Sequence, residues 1–356
     1  MKFVHIADMH FDMPFRLLSD RADLGEIRRL DQRKAFRKMI DYIKENNIPY
    51  LFIAGDLYDQ EYIKESTIKF INELFCEIPN TKIYITPGNH DPYLRNSYYA
   101  QYNWNSNVKI FKSNIERIEN EDFVLYGYGF EDFYCRNSKI EEIQINDKEK
   151  LNILLAHVNL DGSDNLERDY NNISSKKLKE IGFDYSALGH IHKNNIEGNN
   201  SIIYPGSTIS LGFDELGTHG MIVGNLEKNN LKIELIQLDE KQLKEIELDT
   251  SEIYSIEELL EKISQIKLEK NNLYKIILVG NRNFEINIYK LIKMIEIKEI
   301  IKIKDNTKIG YDLDKLEQET TLRGLYIKEI KDKIEQEPQN KETLQKALEI
   351  GLDVLS

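Results

Sequence analysis

Five of the seven histidines fall in short turn-like segments, each directly after an apolar run. Asp8-Met9-His10 follows residues 3–7, and Gly55-Asp56-Leu57-Tyr58-Asp59 follows 50–54. Gly88-Asn89-His90-Asp91 follows 83–87, His157 ends 152–156, and Gly189-His190-Ile191-His192 follows 185–188. In open α/β sheets, sites form at the carboxyl ends of strands. Five such ends direct Asp, Asn and His toward one crevice. Imidazole nitrogen with carboxylate and amide oxygen suits Mn, Fe, Zn or Co better than Ca or Mg. Residues two apart on a strand share a face, so Asp8 and His10 can share one metal. His190 and His192 share a face too, or are splayed by the turn to different metals. A carboxylate between two metals can bridge them, and Asp56 is the candidate. Metals about 3.5–4 Å apart clamp a phosphate and activate water near neutral pH. Two dications against Asp8 and Asp56 leave such a centre at about +2, a phosphate-binding hole.

The elements that must position these residues are legible as alternation. Apolar runs at 2–7, 50–54 and 82–86 read as strands. Phe36, Met39, Ile40 and Ile43 follow helical spacing, and a second helix falls near 64–76. This is a βαβαβ opening. Strands then dominate, at 107–111, 123–128, 152–156, 185–188, 201–204, 221–226 and 232–238. Strands on both halves with flanking helices give an α/β fold of two-sheet sandwich type (αββα), over residues 1–240. Residues 237–244 are polar and read as a linker. Helix 256–266, strand 273–279, helix 286–295 and strand 299–303 form a small α/β domain over 245–315. A helical tail, 316–356, carries two apolar stripes with Pro338 between them. One runs through Leu322, Leu325, Tyr326, Ile330 and Ile334, the other through Leu344, Ala347, Leu348, Leu352 and Leu355.

Composition narrows the function. The chain has 356 residues, 41% hydrophobic and 31% charged, which supports a sizeable core and argues against disorder. No run reaches the 18 or so apolar residues that span a bilayer, so no membrane role is expected. Cys76 and Cys135 form no motif, which speaks against structural zinc and reads as free thiols of a reducing cytoplasm. The net charge of −13 makes the bulk field a poor grip on a polyanion.

Taken in order, DMH, GDLYD, GNHD, AH and GHIH resemble the calcineurin-like metallophosphoesterase superfamily. HIADMHFDMPF, GNHDPY, LGHIHK and YPGSTISLGFDELGTHG are similar to its SbcD-type DNA nucleases, the YhaO-like exonucleases in particular. The motifs cover residues 1–240; beyond 241 the likeness is one of position and length, to a capping domain and a partner-binding tail. The resemblance implies that Asp8, His10 and His192 hold one metal. Asn89, His157 and His190 hold the other, and Asp56 bridges. His90 and Asp91 are then catalytic, His90 serving the scissile phosphate and leaving oxygen while Asp91 orients its ring. It further implies two divalent ions, of Mn²⁺, and DNA phosphodiester hydrolysis. An SMC-like ATPase partner of SbcC type and a homodimer are implied with them. Protein-phosphatase relatives carry Arg and Glu where this chain has Gln60 and Asp91, which favours the nuclease branch over a phosphatase or small-molecule phosphodiesterase. A non-catalytic interaction scaffold is the alternative from another class, and the complete ligand set speaks against it.

Other residues carry weaker signals. His5 reads as structural and His219 as an exposed turn residue. Asp59 and Asp12 read either as acceptors behind a ligand or as turn caps. The basic run 28–38 places Arg33 and Arg37 on an outward face, solvated or touching DNA phosphates. Lys298, Lys302 and Lys304 carry the same pair of readings. Tyr93, Tyr98, Tyr99, Tyr102 and Trp104 either pack, form an interface or stack on frayed bases. The two tail stripes fold onto their own domain or dock a partner.

Overall fold

The architecture was read from a computed structural model, which describes the chain apart from residues 16, 17, 19–23, 162–169, 197–200, 283, 310–312 and 356. The chain opens as β1 (Lys2–Ile6), α1 (Leu24–Glu45), β2 (Tyr50–Ala54), α2 (Glu65–Cys76), β3 (Lys82–Thr86), α3 (Tyr98–Gln101) and β4 (Val108–Ile110). It continues through β5 (Glu116–Glu119), β6 (Phe123–Tyr128), β7 (Leu151–His157), the short β8 (Asn159–Leu160) and β9 (Asn172–Ile173), and α4 (Ser175–Ile181). Next come β10 (Tyr185–Gly189), β11 (Ile202–Ile203), β12 (Gly220–Glu227) and β13 (Asn230–Gln237).

Two sheets result, ordered β13-β12-β1-β2-β3-β4 and β11-β10-β7-β6-β5. In the first, β1 through β4 are parallel and β12–β13 is an antiparallel hairpin on β1. In the second, β6, β7, β10 and β11 are parallel and β5 returns antiparallel. Alternation along each strand sends one set of side chains between the sheets. Phe3, Phe52, Tyr84 and Phe111 meet Leu125, Ile153, Leu155 and Tyr185 there. The other set, Val4, Ile6, Ile53 and Ile85, is buried on the opposite side. Phe36, Met39 and Ile40 of α1 and Ile68, Ile71 and Phe75 of α2 are buried with them. The outer face of the second sheet packs Val124, Leu154 and Leu188 against Leu178 and Phe183. This is the expected two-sheet α/β sandwich.

The chain divides into two compact units, one of Met1–Lys244 with Asn271–Leu273, the other of Glu245–Lys270 with Tyr274–Ser356. The residues read as a tail from 316 fall in the same unit as 245–270 and 274–315. That unit has the sheet β14-β15-β17, built from β14 (Leu243–Asp249), β15 (Leu273–Val279) and β17 (Ile300–Asp305). Between them come α5 (Ile256–Ser264), β16 (Asn281–Arg282) and α6 (Ile288–Met294), and β18 (Lys308–Ile309) pairs with β16. Leu259, Ile263, Ile276, Leu291 and Ile303 fill its core. After α7 (Leu313–Glu317), helices α8 (Leu322–Gln336) and α9 (Lys341–Leu355) pack through Ile327, Ile330, Leu348 and Leu352.

One reading needs correction. The polar stretch 237–244 is no free linker. Leu238 is buried, and the Asp239 carboxylate accepts 2.7 and 3.1 Å hydrogen bonds from Arg28, itself fully buried. Arg33 and Arg37 are partly exposed on α1, and each also has a partner. Arg33 donates to Thr67 at 2.7 Å and lies over Phe70; Arg37 pairs with Glu77 at 2.6 Å. Both tie α1 to α2 or its end. Among the described residues, no helix is long and apolar enough to cross a membrane.

Candidate metal centre

The five segments meet where parallel strands β1, β2, β3, β7 and β10 end. Backbone bonds stitch the loops together: Asp8 N–H to Gly55 O (3.1 Å), His10 N–H to Asp56 O (2.9 Å), Gln60 N–H to His90 O (2.9 Å) and Val158 N–H to Gly189 O (3.1 Å). The stitching holds unusual backbone. Asp8 (φ 51°), His10 (47°), Asp56 (51°) and His190 (107°) all lie at positive φ, a conformation costing about 1–3 kcal/mol each that clusters at functional sites. The motif glycines make room for the donors. A Cβ on Gly55 would sit 2.3 Å from His157 Nδ1, and one on Gly88 2.3 Å from Asp56 Oδ1.

Asp56 lies between two groups. Its Oδ2 is 3.7 Å from His10 Nε2 and 3.3 Å from His157 Nε2. On one side His10 Nε2 faces His192 Nε2 at 3.3 Å, and Asp8 joins them with donor atoms all within 4.8 Å. On the other, Asn89 Oδ1 is 3.0 Å from His157 Nε2 and 3.3 Å from His190 Nδ1. Asp8, Asp56 and His157 satisfy the same 4.8 Å limit, as do His10, Asp56 and His90. All seven expected donors, and His90 with them, are therefore brought together.

The hydrogen-bond network tests whether cations fit. His10 Nδ1 meets Asp59 Oδ1 at 3.2 Å, His192 Nδ1 meets Glu215 Oε2 at 3.0 Å, and His157 Nδ1 meets the Ala54 carbonyl at 2.8 Å. None of these oxygens can donate, so each ring commits its Nδ1 proton outward and, when neutral, presents a lone pair on Nε2. Two lone pairs then face each other between His10 and His192. A third faces the Asp56 carboxylate and the Asn89 carbonyl. Such a convergence of acceptors needs positive charge at its centre, and the donor set is one that divalent transition metals accept.

The protonation equilibria express the same demand. Burial opposes the charged ring of His157, yet the Asp56 carboxylate lifts it to about 9. Burial likewise opposes His192, and the Glu215 contact lifts it to about 9. Burial would raise Asp56, but His157 and His10 hold it well below the usual carboxylate range. Burial pushes Asp8 up despite those histidines. Burial, reinforced by the neighbouring His157, lowers His190 to about 3, keeping it a neutral ligand ring.

Asp91 is placed otherwise than expected. It does not orient the His90 ring. Its carboxylate is fully buried and accepts from Asp56 N–H (3.0 Å), Leu57 N–H (2.7 Å), Gly88 N–H (2.6 Å) and the Tyr99 hydroxyl (2.6 Å). It is the knot joining the GDLYD and GNHD loops. The residue on His90 is Asp59, whose Oδ1 meets His90 Nδ1 at 2.8 Å while also meeting His10. Asp91→Ala strands four donors, so the protein should lose about 3 kcal/mol or more of stability, read by urea denaturation with Asp59→Ala as the milder comparison. Equal midpoints for wild type and Asp91→Ala would remove this role.

His219 is also corrected. It is buried, bonded through Nδ1 to Ser207 and through Nε2 to the Glu215 carbonyl at 2.6 Å. It braces the loop that presents Glu215, a residue no spacing signalled. Glu215 further accepts from Gly212 N–H at 3.0 Å and Ser207 Oγ at 3.1 Å. Partners behind a metal-binding ring are worth about 10–100-fold in metal affinity. Glu215→Ala should therefore weaken the His192-side ion by that factor in a metal titration, and Glu215→Gln less; unchanged affinity in both would contradict it. His5 is structural as expected, buried against the Tyr185 hydroxyl at 3.0 Å. Asp12 caps the start of α2, accepting from Lys64 N–H and Thr67 Oγ1. Of the 93–104 aromatics, Tyr99 is buried against Tyr58, and the half-buried Trp104 lies against Phe75, Tyr99 and Tyr102.

Carboxylate, amide and imidazole donors gathered on both sides of Asp56 at the strand ends of a two-sheet sandwich form a candidate dinuclear metal centre. The calcineurin-like phosphoesterase sequence profile matches residues 1–194, more than half of the chain, and the chain belongs to that family. An uncharacterized metallophosphoesterase, YhaO of Bacillus subtilis (strain 168), is 24% identical over 276 residues, 74% of this chain. The match spans 66% of that relative, just under two thirds. The SbcD component of the nuclease SbcCD from Staphylococcus epidermidis is 26% identical over 309 residues, 77% of this chain and 78% of that one. Among solved structures, TT1561 of Thermus thermophilus aligns with a TM-score of 0.36 at 10% identity, over 66% of this chain and 98% of its own.

Proposed function

We propose that the chain is a metal-dependent DNA nuclease, hydrolysing phosphodiester bonds as the nuclease subunit of a cytoplasmic DNA-repair complex with an SMC-like ATPase of SbcC type. The observation that carries the reading is the position of the Asp56 carboxylate, within 3.7 Å of an imidazole from each donor group. Asp8, His10 and His192 would hold one ion, Asn89, His157 and His190 the other, with Asp56 serving both. Manganese suits this mixed nitrogen and oxygen set. When bound, the ions polarise the phosphoryl oxygens and make water a nucleophile near neutral pH.

The chain's own groups do the rest. In the ion-free chain burial works against a charged His90, but the Asp59 hydrogen bond and the Asp56 carboxylate lift it to about 9; with Asp56 shared between ions, Asp59 is the group that still favours the charged ring. With Nδ1 committed to Asp59, Nε2 carries the proton that a leaving oxygen takes up. The ring is half exposed, at 51%, so a substrate can reach it. Similarity to the SbcD component of a nuclease favours DNA over a small phosphodiester. The acidic balance of −13 fits a partner that supplies most of the grip on DNA. Docking of that partner is proposed for α8 and α9, whose Leu322, Leu325, Ile350 and Val354 are exposed.

The test is an assay of the purified chain stripped of metal and reloaded with Mn²⁺. Labelled duplex and single-stranded DNA should be cut, with a phosphomonoester little touched. Turnover of the monoester alone would replace this reading with that of a phosphatase.

A further inference from the structure

None of the aromatics singled out at 93–104 lines the cleft at the metal centre; a different set of rings, brought from three loops, does. A cleft of about 250 Å³ opens beside Asn89 and His90, walled by Tyr62, Tyr134 and Tyr170. Tyr134 stacks on Tyr170 with centroids 5.9 Å apart and planes 22° from parallel, and Tyr170 lies 5.2 Å from the His190 ring. The rings thus form a ladder ending on a residue of the centre. Its backbone is fixed: Cys135 and Tyr170 pair in a parallel bridge, and Asn171 N–H donates to the Cys135 carbonyl at 2.7 Å. Yet the outer rings are left open, Tyr134 59% and Tyr62 40% exposed. Large aromatic surface held rigid beside a reaction centre, instead of being buried, is a stacking platform.

Charge and size say what it takes. Among the described residues lining the cleft there is no lysine or arginine, while Asp59 and Glu61 are there. Apart from His90, the described walls offer a phosphate no positive side chain, whereas the tyrosine rings suit the neutral face of a nucleobase. The volume lies below the roughly 300–1,000 Å³ of pockets for drug-sized ligands, room for one ring system and not for a base pair. A base inside a duplex has both faces covered, so only an unstacked one can enter.

We infer that the Tyr62–Tyr134–Tyr170 cleft is a subsite for one unpaired nucleobase, adjoining the phosphate served by His90. This deepens the nuclease reading and rests on it. It makes the substrate a single-stranded or frayed end, held by stacking that tolerates any base.

The test compares an oligothymidylate with the same backbone made abasic throughout, both cut by the Mn²⁺-loaded chain. Stacking of one base is worth about 5- to 150-fold, so wild type should prefer the base-bearing strand by a factor in that range in kcat/KM. Tyr134→Ala should collapse the preference toward one, and Tyr134→Trp should restore it. A preference in Tyr134→Ala equal to that of wild type, or no preference in wild type, overturns the subsite while leaving the nuclease reading intact. If wild type cuts duplex DNA but neither of these strands, the subsite falls; if it cuts no DNA at all, both fall together. Tyr134 is mostly exposed, and unchanged melting of the variants separates lost stacking from lost folding.

Discussion

Asp56→Asn should empty both metal positions together. The substitution is close to isosteric, and its Oδ1 can still accept the 2.8 Å bond from His90 N–H. What it removes is the charge that His10 and His157 share at 3.7 and 3.3 Å. An amide nitrogen at Oδ2 would add two donors where lone pairs and cations must sit. Loss of a partner behind a ligand costs about 10–100-fold in metal affinity, and loss of a shared ligand should cost more at each position. Metal analysis after dialysis reads this directly: wild type should retain two ions per chain, the variant close to none. A variant retaining both, or losing only one, contradicts the bridging role. Activity should vanish with the ions and return only at far higher Mn²⁺.

His90→Ala should have the opposite signature, full metal and little turnover. The ring is joined to the rest through Asp59, which also holds His10. Removing it leaves Asp59 on His10, so the donor set survives. What is lost is a proton donor at the leaving oxygen, worth about 10²–10⁴-fold in kcat. A substrate with a good leaving group, such as a p-nitrophenyl phosphodiester, should show the smaller loss, because it needs less help to depart. Falling metal content in His90→Ala would instead make this histidine a ligand, as its proximity to His10 and Asp56 allows.

The fold and the donors were legible because both rest on local signals. Strands 50–54, 82–86 and 123–128 stand where continuous β-branched and aromatic runs place them. Each donor follows such a run, so strand order alone delivers it to the carboxyl end of a parallel sheet. Strands that read poorly are those whose alternation is masked by charge. Leu243–Asp249, with Lys, Glu and Glu between its apolar residues, starts inside the polar stretch 237–244 and shows no apolar run, and Glu116–Glu119 leaves none at all. Partners behind the donors were harder. Asp59 was within reach because it shares the GDLYD turn with Asp56. Glu215 lies 23 positions beyond His192 in sequence, and only the path of the 205–219 loop brings them to 3.0 Å. Asp91 misled by adjacency: next to His90 in the chain, it turns inward to four donors. His219 looked like a turn residue because a Gly-Thr-His-Gly tetrapeptide says nothing of the chain that folds over it. The aromatic signal was real but misplaced, since Tyr62, Tyr134 and Tyr170 are too far apart in sequence to form a cluster.

Anomalous scattering from crystals soaked in Mn²⁺ tests the central claim most directly. Two peaks are expected beside the Asp56 carboxylate, one ringed by Asp8, His10 and His192 and the other by Asn89, His157 and His190. A single peak, peaks away from Asp56, or none at saturating Mn²⁺ would contradict the account.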